Sequence, residues 1–341
     1  MKILVIGGTG FIGPHVVRAL VIGGHQVAVF HRSMHAARMP THVQHILGDR
    51  RELEAHHIAF HAFAPEIVLD VILSSGRQAA ALMHLFRGRA RRVVAVSSMD
   101  AYRACGVLHG SEPGDLEPLP LTEDSPVRTV LRTYPPASIK TLQSVFGWLD
   151  DEYDKIPVER AVLGDPRLPG TVLRLPMVYG PGDPLHRFFP LLKRIDDGRS
   201  AILFAEDFAE WRGSKGYVEN VGAAIALAAV SEKAAGRIYN VAEPDAPTER
   251  DWAEGVAKAT GWPGRIVVLP REKTPKHLIL PGNTRQHWVA SSKRIREELG
   301  YREPVALDEA LKRTIEWERT HPPPIDAAQF DYAAEDAAVS A

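Results

Sequence analysis

The chain predicts an α/β protein: a doubly wound parallel sheet with a smaller C-terminal α/β lobe. Three observations predict it. A short apolar run over residues 2–6 passes into the glycine turn GGTGFIG and then into a helix-like stretch. Apolar strand-like runs alternate with helix-like segments through the first half. The second half loses that rhythm and breaks at Pro/Gly clusters, 180–184 and 263–264. Strand–helix–strand alternation implies right-handed crossovers and therefore a parallel sheet.

The elements follow in order. Residues 2–6 suit a strand buried on both faces. Residues 14–22 read as a helix ended by Gly23-Gly24. Strands are expected at 26–30, 43–47, 67–73, 92–96 and 171–175. Residues 142–163 read as one long helix bent near Pro157. Residues 217–229 and 237–241 read as a helix and a strand returning to the first lobe. Helices are expected over 251–260, 292–299 and 307–319. The expected division is 1–178 for a dinucleotide-binding domain with returning segments at about 214–243. Residues 179–213 and 244–320 would form a substrate lobe. The tail, 321–341, has few large apolar residues and is expected to be mobile.

Composition excludes several classes. Of 341 residues, 45% are hydrophobic and 24% charged, so a core can form. Lys and Arg number 41 against 42 Asp and Glu, which argues against a DNA binder working by bulk charge. Cys105 is the one cysteine, so no intrachain disulfide and no Cys-based zinc site can form. His56, His57, His61 and His84 lack metal-ligand spacing, and no metal is expected. No apolar run spans a membrane, and the N-terminus lacks a signal-peptide pattern, so a cytoplasmic protein is expected.

Gly7, Gly10 and Gly13 stand between a strand and a helix. In that setting glycines allow a tight turn and let backbone approach a pyrophosphate at the helix N-terminus. Phe11 and Ile12 belong to the same turn. The end of the second strand reads VAVFHRS. His31 and Arg32 stand where a carboxylate would bind the ribose of NAD. Arg32 suits a 2′-phosphate, so NADP is expected, with NAD remaining open. Asp49 is placed at the adenine edge.

Several motifs together carry a resemblance: GGTGFIG, VVAVSSMDAYRACG, LTEDSPVR, RLPMVYGPGD, GYVENVGAAIALA and SSKRIREELGY. From residue 1 to about 319 the chain resembles the extended short-chain dehydrogenase/reductases, the NAD-dependent epimerase/dehydratases. The resemblance implies a Rossmann domain and a substrate lobe. It implies hydride transfer on nucleotide sugars or small carbonyl and hydroxyl compounds. Homodimers are an expectation by analogy. The family's catalytic set is a Ser, a Tyr and a Lys four residues after the Tyr. Ser98 matches the serine. Lys155, followed by Val158-Glu159, matches the lysine and would also hold the nicotinamide ribose. The tyrosine slot then falls on Asp151. Tyr153 lies two residues from Lys155, which on one helix puts the two on nearly opposite faces. Three readings stay open. Tyr153 is re-aimed by a distorted helix; Asp151 or Tyr102 supplies the proton; or only cofactor binding remains.

The resemblance extends to the substrate side. Pro176 and Met177 would border the nicotinamide. Tyr102, Arg174 and Tyr179 would reach the substrate. Arg212 and Arg285 would clamp a diphosphate. The arginine run 87–92 raises a second reading, since some members of this fold family have turned towards RNA. That reading makes the chain a catalytically weak dinucleotide binder, acting as a sensor or RNA-associated module.

Overall fold

A computed structural model describes residues 1–32 and 39–340. The first half runs β1 (Lys2–Ile6), α1 (Gly13–Ile22), β2 (Gln26–His31), β3 (Gln44–Leu47), α2 (His57–Phe63), β4 (Ile67–Asp70), α3 (Gly76–Phe86), β5 (Arg92–Ser98) and α4 (Arg103–Leu108). It continues through α5 (Pro136–Val145), α6 (Lys155–Leu163) and β6 (Gly170–Leu175). The second half holds β7 (Met177–Tyr179), α7 (Phe189–Asp196), β8 (Ala201–Ala205), α8 (Glu206–Ala209), β9 (Lys215–Tyr217), α9 (Val218–Val230) and β10 (Ile238–Asn240). It ends with α10 (Glu249–Thr260), β11 (Arg265–Leu269), α11 (Lys293–Leu299), α12 (Leu307–Thr320) and α13 (Tyr332–Ser340).

Seven parallel strands form the central sheet in the order β10-β6-β5-β4-β1-β2-β3. The order reverses between β1 and β4, which opens a crevice at the strand C-termini. Strand alternation divides two cores. Ile3 and Val5 face the side covered by α1 and α9, whereas Leu4 and Ile6 face the side of α3 and α6. Both faces are buried, so the strands read as continuous apolar runs. The returning segment supplies α9, which packs on α1, and β10, which pairs with β6. Gly222 makes that helix contact close: a Cβ there would lie 2.6 Å from the Cβ of His15. Outside the central sheet stand two further parallel strand pairs, β8 with β11 and β7 with β9.

Two expectations are corrected. Residues 142–163 are not one bent helix. The chain leaves α5 at Phe146 and re-enters at Lys155, where the Asp154 carboxylate caps α6 by accepting from the Ile156 N–H at 2.9 Å. Pro157 is the third residue of α6, in the first turn, where no N–H is needed. It fits a helix start instead of bending a helix. The tail is also ordered. Glu335 on α13 is fully buried and accepts from Arg194 Nη2 at 2.6 Å and His277 Nε2 at 3.0 Å. Tyr332 donates to Asp197 at 2.6 Å. Few apolar side chains were needed, because a buried ion pair docks the segment.

Candidate active site

The turn after β1 is built by its glycines. Gly7 has φ +83°, a left-handed conformation that favours glycine. Gly13 begins α1, and a Cβ there would fall 2.5 Å from the Gly7 carbonyl oxygen. A Cβ on Gly10 would meet nothing within 4 Å, so its backbone faces open space. Phe11 and Ile12 lead into α1, half-buried. Gly7, Thr9 and Gly10 line a cleft of about 530 Å³. The ends of β2 and β3 line it too, through His31, Arg32, Asp49 and Arg51. His31 Nε2 and His45 Nδ1 share a hydrogen bond of 2.8 Å. Asp49 is held to about 2 by its bonds from Arg51. Arg32 is exposed at the cleft wall. The open glycine turn, helix start and flanking cations fit a dinucleotide.

The loop between α5 and α6 covers the opposite wall through Gly147, Trp148, Leu149 and Asp150. Asp150 anchors it. Its N–H donates to Ser74 Oγ at 3.0 Å, and its carboxylate accepts from Arg77 at 2.8 Å and Gln78 at 3.3 Å. Sequence reasoning missed this wall because it placed these residues inside a helix.

The residues expected to be catalytic gather at the C-terminal end of β5. Ser98 caps the short turn that follows, its Oγ accepting from the Asp100 N–H at 3.2 Å. Tyr153 donates its hydroxyl to Asp100 Oδ2 at 2.6 Å. Lys155 is buried, and Nζ donates to the carbonyls of Leu73 at 2.5 Å and Val96 at 3.1 Å. Its ammonium lies 5.7 Å from the Tyr153 ring centroid and 5.9 Å from that of Trp148. Burial lowers Lys155 to about 8, opposed by Asp100, Asp70 and Glu159. Burial first, and Asp100 next, raise Tyr153 well above the usual phenol range. Tyr153 precedes α6, so the opposite-face argument does not apply: an extended approach brings it beside Lys155.

The other proton-donor candidates are placed differently, Asp151 on the cleft wall and Tyr102 in the interior. Asp151 is exposed and accepts from Lys140 at 3.0 Å and Gln143 at 2.8 Å. It shares no helix with Lys155. Tyr102 is fully buried and donates to Asn240 at 2.6 Å, under the Arg174 guanidinium. Arg174 is buried in a two-point pair with Glu159, at 2.9 and 2.7 Å. Tyr179 is buried, stacks on Phe188 and donates to Glu243 at 2.8 Å. These three side chains are committed to the interior, away from the cleft. Pro176 and Met177 stand half-buried at the step from β6 to β7. Arg212 is exposed and donates to the Ala246 carbonyl at 2.6 Å, lining a separate pocket. Arg285 is exposed and outside that pocket, so the two arginines form no clamp there.

The arginine run is spent on the protein. Arg87 pairs with Asp165, Arg91 with Glu66 and Glu232, and Arg92 is buried against the Ser231 and Ala229 carbonyls. Among the described residues, no cluster of three His, Cys, Asp or Glu could hold a metal, and no helix is long and apolar enough to cross a membrane.

Comparison with known proteins agrees with this geometry. A 2′-dehydrokanamycin reductase of Streptomyces kanamyceticus is 28% identical over 287 residues, 82% of this chain and 72% of the relative. A 2-alkyl-3-oxoalkanoate reductase of Stenotrophomonas maltophilia is 25% identical over 92% of this chain and 98% of its own. The UDP-glucose 4-epimerase of Thermotoga maritima superposes with a TM-score of 0.63 at 22% identity, covering 94% of this chain and 99% of that one. Residues 3–126 match the model of the NAD dependent epimerase/dehydratase family. Over residues 3–126 the chain is thus similar to the NAD dependent epimerase/dehydratase family, and over 94% of its length it shares the fold of the Thermotoga epimerase.

Proposed function

We propose that the protein is an NAD(P)-dependent oxidoreductase acting on a small carbonyl or hydroxyl compound. One observation carries the reading. The wall of the cleft at the switch point of the sheet, Gly147 to Glu152, runs directly into Tyr153 and Lys155, and Ser98 and Tyr153 both bond Asp100 at the end of β5. Bound there, the nicotinamide would supply or accept the hydride. Ser98 would hold the reacting oxygen. Tyr153 would exchange its proton with that oxygen, where charge develops. Lys155, shielded from water, would stabilise that charge and reach the nicotinamide ribose. Arg32 supports NADP, since its guanidinium stands at the cleft wall beside the end of β2. Both relatives named above are reductases, which supports reduction of a carbonyl over epimerisation.

A second reading is a dinucleotide-binding protein with little catalysis. Its support is the Lys155 amine, which two backbone carbonyls already engage. Mass spectrometry of what the purified protein releases on denaturation identifies any resident dinucleotide. NADPH and NADH consumption against 3-oxoalkanoates, aminoglycoside ketones and 4-keto nucleotide sugars then separates the two readings. Turnover with any of these supports the enzyme. Dinucleotide binding without turnover across all three classes favours the second reading.

A further inference from the structure

Buried carboxylates in the nucleotide-binding half are paired with arginine. Asp70 has Arg50, Glu159 has Arg174, and Asp154 has Arg128. Such pairing is what a carboxylate needs to leave water without heavy cost. Asp100 is as deeply buried, at 2% exposure, yet has no ion pair among the described residues. Its Oδ2 takes the Tyr153 hydroxyl at 2.6 Å, and its Oδ1 is buried without a partner. A carboxylate held this way is poorly explained as a structural brace. It is well placed to trade a proton with the one phenol it touches.

We infer that Asp100 is the positioning residue for Tyr153, holding the phenol at the end of β5 and exchanging a proton with it. This rests on the oxidoreductase reading of the Ser98–Tyr153–Lys155 cluster. In the oxidative direction the substrate O–H bond breaks and its proton passes to Tyr153 Oη. The Tyr153 proton passes in turn to Asp100 Oδ2, where a new O–H bond forms. The carbinol hydrogen leaves with its electron pair to the oxidised dinucleotide, and the C=O bond forms. Reduction runs each transfer backwards, and Asp100 is then the acid that restores the Tyr153 proton. The usual arrangement, in which a lysine one turn further along a helix serves the tyrosine, is absent: Tyr153 precedes the helix that Lys155 begins.

The surroundings act on both groups. Burial lifts the Asp100 carboxyl above the usual range, while Tyr153, Lys155 and Arg128 oppose that rise and Asp154 adds to it. Cys105 and Tyr134 face the same group, and burial keeps both protonated. Burial therefore raises the proton affinity of the carboxyl and of the phenol it faces.

The test is Asp100→Asn, which keeps an oxygen to accept from Tyr153 but cannot take a proton. NADPH affinity, read by fluorescence titration of the full chain, is expected to match wild type and so to show an intact fold. The kcat should fall by about 10²–10⁴-fold with KM little changed, and the pH–rate limb set by the pair should vanish. Asp100→Glu should recover part of the rate. An Asn variant with wild-type kcat and pH profile overturns the inference. Infrared difference spectroscopy provides an arm that needs no turnover. A protonated-carboxyl band lost in Asp100→Asn and shifted in Tyr153→Phe supports proton sharing. A band unmoved by Tyr153→Phe overturns it. Wild-type protein that turns over no substrate would remove the oxidoreductase reading, while the infrared result still decides whether Asp100 and Tyr153 share a proton.

Discussion

At one end of the cleft, Gly7 and Gly13 close a turn with almost no room for a side chain at either position. At the other, residues 146–155 reach the reacting cluster through a gap between two helices. The glycine end is set by backbone contact: a Cβ at Gly13 would press within 2.5 Å of a carbonyl oxygen. The Tyr153 end is set by side-chain hydrogen bonds, from Asp154 to the α6 start and from Tyr153 to Asp100. Backbone geometry constrains residue type and spacing together. Side-chain geometry lets an altered spacing bring a phenol beside the lysine. That difference explains how a chain can keep its nucleotide turn and lose the usual tyrosine position without losing a tyrosine beside its lysine.

The largest effect is expected at the rigid end. Gly13→Val should abolish dinucleotide binding, because the added atoms collide with backbone that cannot move aside without opening the turn. Isothermal titration with NADPH measures it. Circular dichroism and the thermal midpoint show whether the sheet survives. Binding at wild-type strength would mean the turn is not the pyrophosphate site.

Lys155→Met should cost less, about 10²–10⁴-fold in kcat, and leave most of the dinucleotide affinity. It also carries a pH signature. The native protein releases the Lys155 proton near 8, against about 10.5 in the unfolded chain. Between those values the unfolded chain binds more protons, so this residue's contribution makes the native state more stable as pH rises. The stability difference between wild type and Lys155→Met should therefore shift towards wild type from pH 8 to pH 10, by urea midpoints. Activity that depends on the ammonium should fall over the same rise. A pH-independent difference would place the amine's proton elsewhere.

The same contrast governs what could be read from residue order. Gly7, Gly10, Gly13 and the alternating strands were legible because each signal is local: a turn, a period, a helix start. The parallel sheet followed from the strand–helix–strand alternation. The break at 146–154 was not legible, because Pro157 suits both a bend and a first turn, and only the Asp154 cap distinguishes them. Tyr102, Arg174 and Tyr179 match motif positions, but their partners Asn240, Glu159 and Glu243 are distant in sequence. Motif identity therefore said nothing about which side of the strand end each side chain would take. Asp100 stood two residues after Ser98, and only its missing cation marks it. The tail escaped notice for a related reason, since Glu335 docks by charge where apolar periodicity is sought.

Arg32→Ala sharpens the comparison at the adenine end. A charge-assisted bond to a 2′-phosphate is worth about 1.5–3 kcal/mol when formed, and exposure of Arg32 favours the lower figure. NADPH affinity should fall about tenfold while NADH affinity stays unchanged. Equal loss for both would assign Arg32 to the wall of the cleft and not to the phosphate.

The smallest effect is expected where the flexible end touches the rigid one. Asp150 ties the loop over the cleft to the start of α3, through Ser74, Arg77 and Gln78. Asp150→Ala removes the carboxylate bonds but leaves the backbone bond to Ser74 Oγ, so the loop should loosen without unfolding. Arg77 is largely exposed and can return to water, which limits the cost. Dinucleotide dissociation, followed by stopped-flow fluorescence with Trp148 as the reporter, should quicken several-fold, in line with a change of about 1 kcal/mol. The chemical step at the Ser98–Tyr153 cluster should change little, because the Asp100 bond, the cap of α6 and the Tyr153 N–H bond to the Asp150 carbonyl all survive the substitution. A fall in the single-turnover rate equal to the gain in dissociation would show that the loop positions the reacting groups as well as the dinucleotide, and that the two ends of the cleft are one mechanical unit.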